Sequence, residues 1–212
     1  MFQPAEEGPG GAAPMIKAGL LKNPKVDAAM ALHMWNHLPV GQLGVRSGAV
    51  FSAVDTFAVK VRGIGGHGAA PHQTVDPIVA AAHIITSLQP VISRRMDPLH
   101  SAVVTIGKIA GGTRFNIIPD EVVLEGTVRS FRKDVRKKLR SEIERVCKSV
   151  AKAHGAKAIT RYEHLYPATV NDVGMTDLAG KVGADVVGAR KVVPQELTMG
   201  SEDMSYVLEE VP

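Results

Sequence analysis

Between residues 53 and 167 the apolar side chains change period in a fixed order, and that order constrains the fold more than anything else in the chain. Phe57, Val59 and Val61 alternate with Ala58, Lys60 and Arg62, the period-two signature of a half-buried strand. Asp76-Pro77 predicts a helix start, with Asp as N-cap and Pro at the first helical position. Ile78, Ala81, Ala82, Ile85 and Leu88 then form an apolar stripe at helical spacing, and Pro90 ends or kinks it. Ala102 to Ile109 predicts a second strand, broken by Gly111-Gly112. Val122, Leu124, Gly126 and Val128 alternate with Val123, Glu125, Thr127 and Arg129 to give a third. From Asp134 onward Val135, Leu139, Ile143, Val146 and Val150 share one helix face, which Gly155 closes in the left-handed position. Ala158 to Leu165 is a fourth strand. Strand, helix, strand, strand, helix, strand is the ferredoxin-like βαββαβ plan: an antiparallel sheet with both helices on one face. Such a sheet keeps a long unpaired edge that invites a second copy of the chain.

The flanking segments, 1–52 and 168–212, carry a different pattern. Phe2-Gln3-Pro4-Ala5-Glu6-Glu7-Gly8-Pro9-Gly10-Gly11 sets two adjacent carboxylates between a Pro and a glycine run. At a strand end successive side chains point to opposite faces, so Glu6 and Glu7 can do two jobs a few ångströms apart. One can hold a metal ion while the other takes a proton from water; a solvated turn bearing two charges is the plain alternative. Ala12 to Leu21 reads as the helix that follows. Ala28-Ala29-Met30-Ala31-Leu32-His33-Met34-Trp35 is a near-continuous apolar run, the pattern of a buried strand. His33 at its C-terminal end stands where open α/β sheets place ligands, or is a satisfied loop histidine.

The blocks FQPAEEGPGGA, ALHMW, RGIGGHGAAPH, NIIPDEVVLEGTVRSF and TMGSEDMSY, in that order over nearly the whole chain, resemble the M20 metallopeptidases. The similarity is to the amidohydrolase branch, which includes N-acyl-amino-acid, hippurate and indoleacetyl-amino-acid hydrolases. It implies a zinc-peptidase-like α/β catalytic domain, here incomplete, into which a ferredoxin-like lid and dimerisation domain is inserted at 53–167. It also implies hydrolysis of N-acyl amino acids or related small amides and peptides by a metal-bound hydroxide, with two divalent ions (Zn or Mn, with Co or Ni possible).

Residue by residue, the resemblance makes Glu6 the general base and Glu7 and His33 metal ligands. His67, in the loop Ile64-Gly65-Gly66-His67-Gly68, would reach a neighbouring subunit's cleft and hold the developing oxyanion; read alone it is a mobile loop histidine. His72 matches a family position without an assigned role. Asn116 and Arg129 would bind the substrate, Arg129 by a bidentate pair with a carboxylate; without the family they are a turn Asn and a surface Arg. Ser201 reads as the cap of a helix with Glu202 and Asp203 in its first turn, and Gly200 and Ser201 are assigned to substrate-carboxylate binding.

Composition narrows the alternatives. Much of the positive charge behind the net +4 lies in Arg132 to Lys152, which reads as a solvated helix face. Aromatics are scarce and the third strand offers Val, Glu, Thr and Arg, so a nucleic-acid partner is not expected. No apolar run is long enough to span a bilayer and no signal-peptide pattern opens the chain. Cys147, the single cysteine, cannot form an internal disulfide, which fits a cytoplasmic protein. The Cys-x-His block and final ligand His of intact family members are not among these residues. The chain therefore reads as an internal portion that would bind metal poorly by itself, with a non-catalytic dimerising module as the alternative.

Overall fold

The computed structural model describes residues 2–8 and 10–212; Met1 and Pro9, the latter inside the acidic stretch, lie outside the described residues. In chain order the elements are α1 (Ala12–Lys17), β1 (Leu43–Val45), β2 (Gly48–Phe51), β3 (Ala53–Arg62), β4 (Gly66–His67), α2 (Pro77–Pro90), β5 (Ala102–Gly111), β6 (Ile117–Ile118), β7 (Glu121–Ser130), α3 (Lys133–Ala153), β8 (Lys157–His164), β9 (Thr169–Asn171), α4 (Val173–Val187), β10 (Val192–Pro194) and α5 (Ser205–Leu208). The chain divides into two compact units. One comprises Met1–Ala53 with Tyr166–Pro212, and the other Val54–Leu165.

In the Val54–Leu165 unit four strands lie side by side in the order β5-β7-β3-β8. β5 runs antiparallel to β7, from Ala102 opposite Ser130 to Gly111 opposite Val122, with a register shift between Ile106 and Lys108. β3 runs antiparallel to β8, which sets Asp55 opposite His164 and Arg62 opposite Lys157. α2 and α3 pack against each other and against this sheet. Between them Val59, Val61, Ile84, Leu88, Leu124, Leu139 and Ile143 are fully buried. Each such side chain contributes about 1.5–3 kcal/mol relative to exposure. Gly126 is needed where β7 passes under Phe57, because an added Cβ would sit 2.5 Å from the ring carbon Cζ.

The helix signals act as the sequence suggests, with one shift of face. The Asp76 carboxylate accepts from Ile78 N at 2.8 Å and Val79 N at 3.3 Å, and Gly155 has φ +72°. Pro90 is the last residue of α2 and leads into a single π-helical turn, Val91–Arg95. The buried stripe of α2, however, is Pro77, Ala80, Ala81, Ile84 and Leu88, while Ile78 is 44% exposed. The run Ile-Val-Ala-Ala-Ala is apolar all round, so its composition does not choose between two adjacent stripes.

The segment Ile64–Gly68 is not the free loop expected. Ile64 and Val75 exchange two backbone hydrogen bonds, at 2.9 and 3.0 Å. Gly65 N donates to Asp120 Oδ1 at 2.8 Å, and β4 pairs antiparallel with β6. The glycines serve close approach here: a Cβ on Gly65 would lie 2.7 Å from Ile118 O.

The other unit is held by two small sheets, β1 parallel to β10 and β2 antiparallel to β9. Asp172 caps α4 by accepting from Met175 N at 2.9 Å. A compact apolar cluster joins Ala12, Met204 and Val207. α1 stops at Lys17, short of Leu21, and Gly19 takes the left-handed conformation at φ +99°. The run 28–35 departs furthest from expectation. It forms no strand, and Leu32 and Met34 are 78% and 87% exposed. A doubly buried strand needs a neighbour on each side. Among the described residues, the backbone bonds this run makes to other segments are those from Ala29 N to Pro212 O and from Leu38 N to Trp35 O, and neither belongs to a strand ladder. No helix among the described residues is long and apolar enough to cross a membrane.

Candidate active site

Glu6 and Glu7 lie in a tight turn and not at a strand end. Gly8 N and Gly10 N both donate to Ala5 O, at 3.1 and 3.0 Å. Ala5 itself has φ +58°, a conformation that costs a non-glycine residue roughly 1–2 kcal/mol. Strain of this kind persists only where surrounding contacts impose it. Glu6 is half-buried and Glu7 exposed, so the two carboxylates do differ in environment.

Glu6 faces a cluster drawn from both ends of its unit. Burial, with the carboxylates of Glu202, Glu7 and Asp203, pushes its carboxyl above the ordinary range, and His33 pulls it back. His33 Nδ1 lies 2.7 Å from Met34 O, which can only accept. In the neutral ring the proton therefore sits on Nδ1 and the Nε2 lone pair is free for a ligand or proton. Nε2 lies 3.7 Å from Glu202 Oε2. Trp35 and Phe51 brace the imidazole, with ring centroids 5.7 and 5.6 Å away.

These donors suit a divalent ion in kind, since imidazole nitrogen and carboxylate oxygen are the ordinary ligands of Zn²⁺ and Mn²⁺. The fixed tautomer of His33 suits it in orientation. In number they supply part of a shell: among the described residues no group of three or more His, Cys, Asp and Glu converges on one point.

Sequence reasoning missed Glu202 and Asp203 as members of this cluster. The helix after them begins only at Ser205 and is four residues long, too short to offer an anion-binding terminus. Ser201 is not its N-cap; the Glu202 carboxylate accepts from Met204 N at 3.1 Å instead. Gly200 sits in the preceding loop, its O accepting from Ser52 N at 2.9 Å. Two acids directly before an apolar Met-x-x-Val pattern were the available signal.

In the Val54–Leu165 unit, His67 and Asn116 come together. Gly68 N donates to Asn116 O at 2.8 Å, and His67 pairs with Ile117 across β4 and β6. Ala69 N donates to His67 Nδ1 at 3.1 Å, so the neutral ring carries its proton on Nε2, pointing outward as a donor. Asn116, Arg114 and Phe115 border a cavity of about 480 Å³ with Gly111, Gly112 and Asp76. Arg129 stands on β7 opposite Val103, and its burial lowers the guanidinium pKa. His72 lies in a short 3₁₀ turn, Pro71–Gln73.

The profile of Peptidase family M20/M25/M40 matches residues 1–212, and the chain belongs to that family. It is 40% identical to IAA-amino acid hydrolase ILR1-like 4 of Arabidopsis thaliana, covering all of this chain and 49% of that protein. It is 39% identical to N-acetyldiaminopimelate deacetylase of a Geobacillus strain, covering all of this chain and 56% of that protein. Among solved structures, the Bacillus subtilis YXEP protein, described as a dinuclear metal binding peptidase of the M20 family, superposes with a TM-score of 0.81. That match is 33% identical and covers all of this chain and 52% of that one. The chain thus spans about half the length of the relatives it matches.

Proposed function

We propose that the full-length protein is a metal-dependent amidohydrolase that cleaves the amide bond of N-acyl amino acids or related small peptides. The observation that carries this reading is the surroundings of Glu6, a half-buried carboxyl that feels the charges of Glu202, Glu7 and His33, with His33 Nε2 3.7 Å from Glu202. The names of the relatives, an amino-acid-conjugate hydrolase and an N-acetyl deacetylase, support the substrate class. A metal-binding neighbour supports two divalent ions, which we take to be Zn²⁺ or Mn²⁺, with Glu7 and His33 among their ligands. Bound there, such ions lower the pKa of a water and polarise a carbonyl.

The chain's own residues divide the remaining work. Glu6 removes the proton from the attacking water and returns it to the leaving amine nitrogen. His67, offered by a second copy, donates a hydrogen bond from its Nε2–H to the developing oxyanion and keeps the proton. Asn116 and Arg129 orient the substrate carboxylate. We read the Val54–Leu165 unit as a ferredoxin-like lid and dimerisation domain. The strand order β5-β7-β3-β8 with two packed helices supports this, and β5 leaves a ten-residue edge for a second copy. We place its site of action in the cytoplasm, a reading that the free, buried Cys147 supports.

Glu6→Gln in the full-length enzyme tests the assignment. Turnover of an N-acetyl amino acid should fall by about 10²–10⁴-fold with bound metal unchanged. Activity retained at the wild-type level would remove Glu6 from the role of base.

A further inference from the structure

We infer that Asp203 is a positioning residue for the Glu6–Glu7 turn, with Tyr166 as its second tether. The inference rests on the hydrolase reading of that turn. Asp203 is 0% exposed, yet its partners among the described residues include no cation. Its Oδ2 accepts from Gly11 N at 2.7 Å and Ala12 N at 2.9 Å, and its Oδ1 accepts from the Gln3 side-chain amide. Burying a carboxylate without a counter-ion is costly unless N–H donors satisfy it. Here every donor comes from residues that bracket the acidic pair, Gln3 before it and Gly11 and Ala12 after it. Gly11, the N-cap of α1, has no side chain to cap with, so Asp203 supplies that acceptor across 192 residues of sequence.

Tyr166 closes the turn from another side. Its hydroxyl donates a shared hydrogen bond to Gly8 O at 2.9 Å and Glu6 O at 3.2 Å. Its ring lies against Gly10, where a Cβ would approach Cε1 to 2.8 Å. Glu6 is thus held through its own carbonyl and by anchors within six residues on either side. A base must be held to a fraction of an ångström, and displacement by 1 Å costs about 10²-fold in rate.

The test is Asp203→Asn and Tyr166→Phe in the full-length enzyme with saturating metal. Asp203→Asn should lower kcat about 100-fold and leave KM within about threefold. Tyr166→Phe, which keeps the ring, should lower kcat about tenfold and carries the test alone if Asp203→Asn does not fold. In parallel, amide hydrogen exchange at Gly11 and Ala12 should be slow in the wild type and faster in Asp203→Asn. Val207→Ala, in the apolar cluster beside Ala12, loosens the same region without touching a tether and should leave kcat within about threefold. Wild-type kcat in both tether variants, or an equal loss in Val207→Ala, would overturn the inference. A wild-type enzyme without metal-dependent amidase activity would overturn the hydrolase reading instead, and the exchange rates would still decide whether Asp203 holds the turn.

Discussion

Replacing Asp55 by Ala removes the acceptor at the centre of the most densely bonded polar group in the Val54–Leu165 unit. Asp55 is 1% exposed. It accepts from Arg136 Nε at 3.0 Å, from Tyr162 OH at 2.8 Å and from His164 Nδ1 at 3.1 Å. The Arg136 side chain is itself only 16% exposed and also reaches Val54 O and Leu165 O. Bonds to a charged group contribute about 1.5–3 kcal/mol each. They share one acceptor, so the better guide is the cost of breaking a buried pair, about 3–5 kcal/mol. At roughly 2–4 °C per kcal/mol for a chain of this size, the melting temperature should fall by about 6–20 °C. Far-UV circular dichroism during urea unfolding reads this loss through α2 and α3.

Arg136→Met should cost at least as much, since it strands the carboxylate and loses the two carbonyl contacts. The double variant should fall short of the summed costs by about 0.5–3 kcal/mol. Burial pushes the Asp55 carboxyl up, but the bonds from Arg136, Tyr162 and His164 outweigh it and leave the pKa depressed. A depressed folded pKa stabilises above the unfolded value of about 3.9 and is lost as pH falls through the folded one. The gap between wild type and Asp55→Ala should therefore be constant from neutral pH down to about pH 5 and shrink below about pH 4. A cost under about 1 kcal/mol at pH 7 would show that the pair behaves like a surface ion pair and refute the reasoning.

Two further perturbations are simpler. Gly126→Ala drives a methyl group into Phe57 and Thr105 O, and should destabilise by about 1–3 kcal/mol in the same unfolding assay; an unchanged midpoint would mean β7 can shift aside. Cys147 is fully buried and its thiol pKa is pushed up to about 12, so a thiol reagent at pH 8 should label it only after urea is added. Labelling of the native chain within minutes would contradict that burial.

Legibility in the sequence followed how local each cause is. The buried alternation of Val122, Leu124 and Val128 and the face of Val135, Leu139 and Ile143 were readable because each repeats one period on one element. The caps at Asp76 and Gly155 were readable because both ends of the interaction lie within a few residues. The α2 face was not, because Ala80 to Ala82 make two stripes equally apolar. The run 28–35 was misread because composition records the apolar character of a segment but not whether anything lies beside it.

The candidate site divides the same way. Glu6, Glu7 and His33 were singled out from short motifs and from resemblance to a family. Glu202 and Asp203 have the sequence pattern of a helix start, and nothing near them in sequence reveals that their partners are Gln3, Gly11, Ala12 and His33.

The long reach of Asp203 has a consequence for biosynthesis. A ribosome adds about 5–20 residues per second, so nearly 200 residues and some tens of seconds at the slow end pass between the synthesis of Glu6 and Glu7 and that of Asp203. Until then the acidic turn has no acceptor at Gly11 and Ala12 to shape it. The turn therefore takes its final shape only after the segment that carries Asp203 has been made.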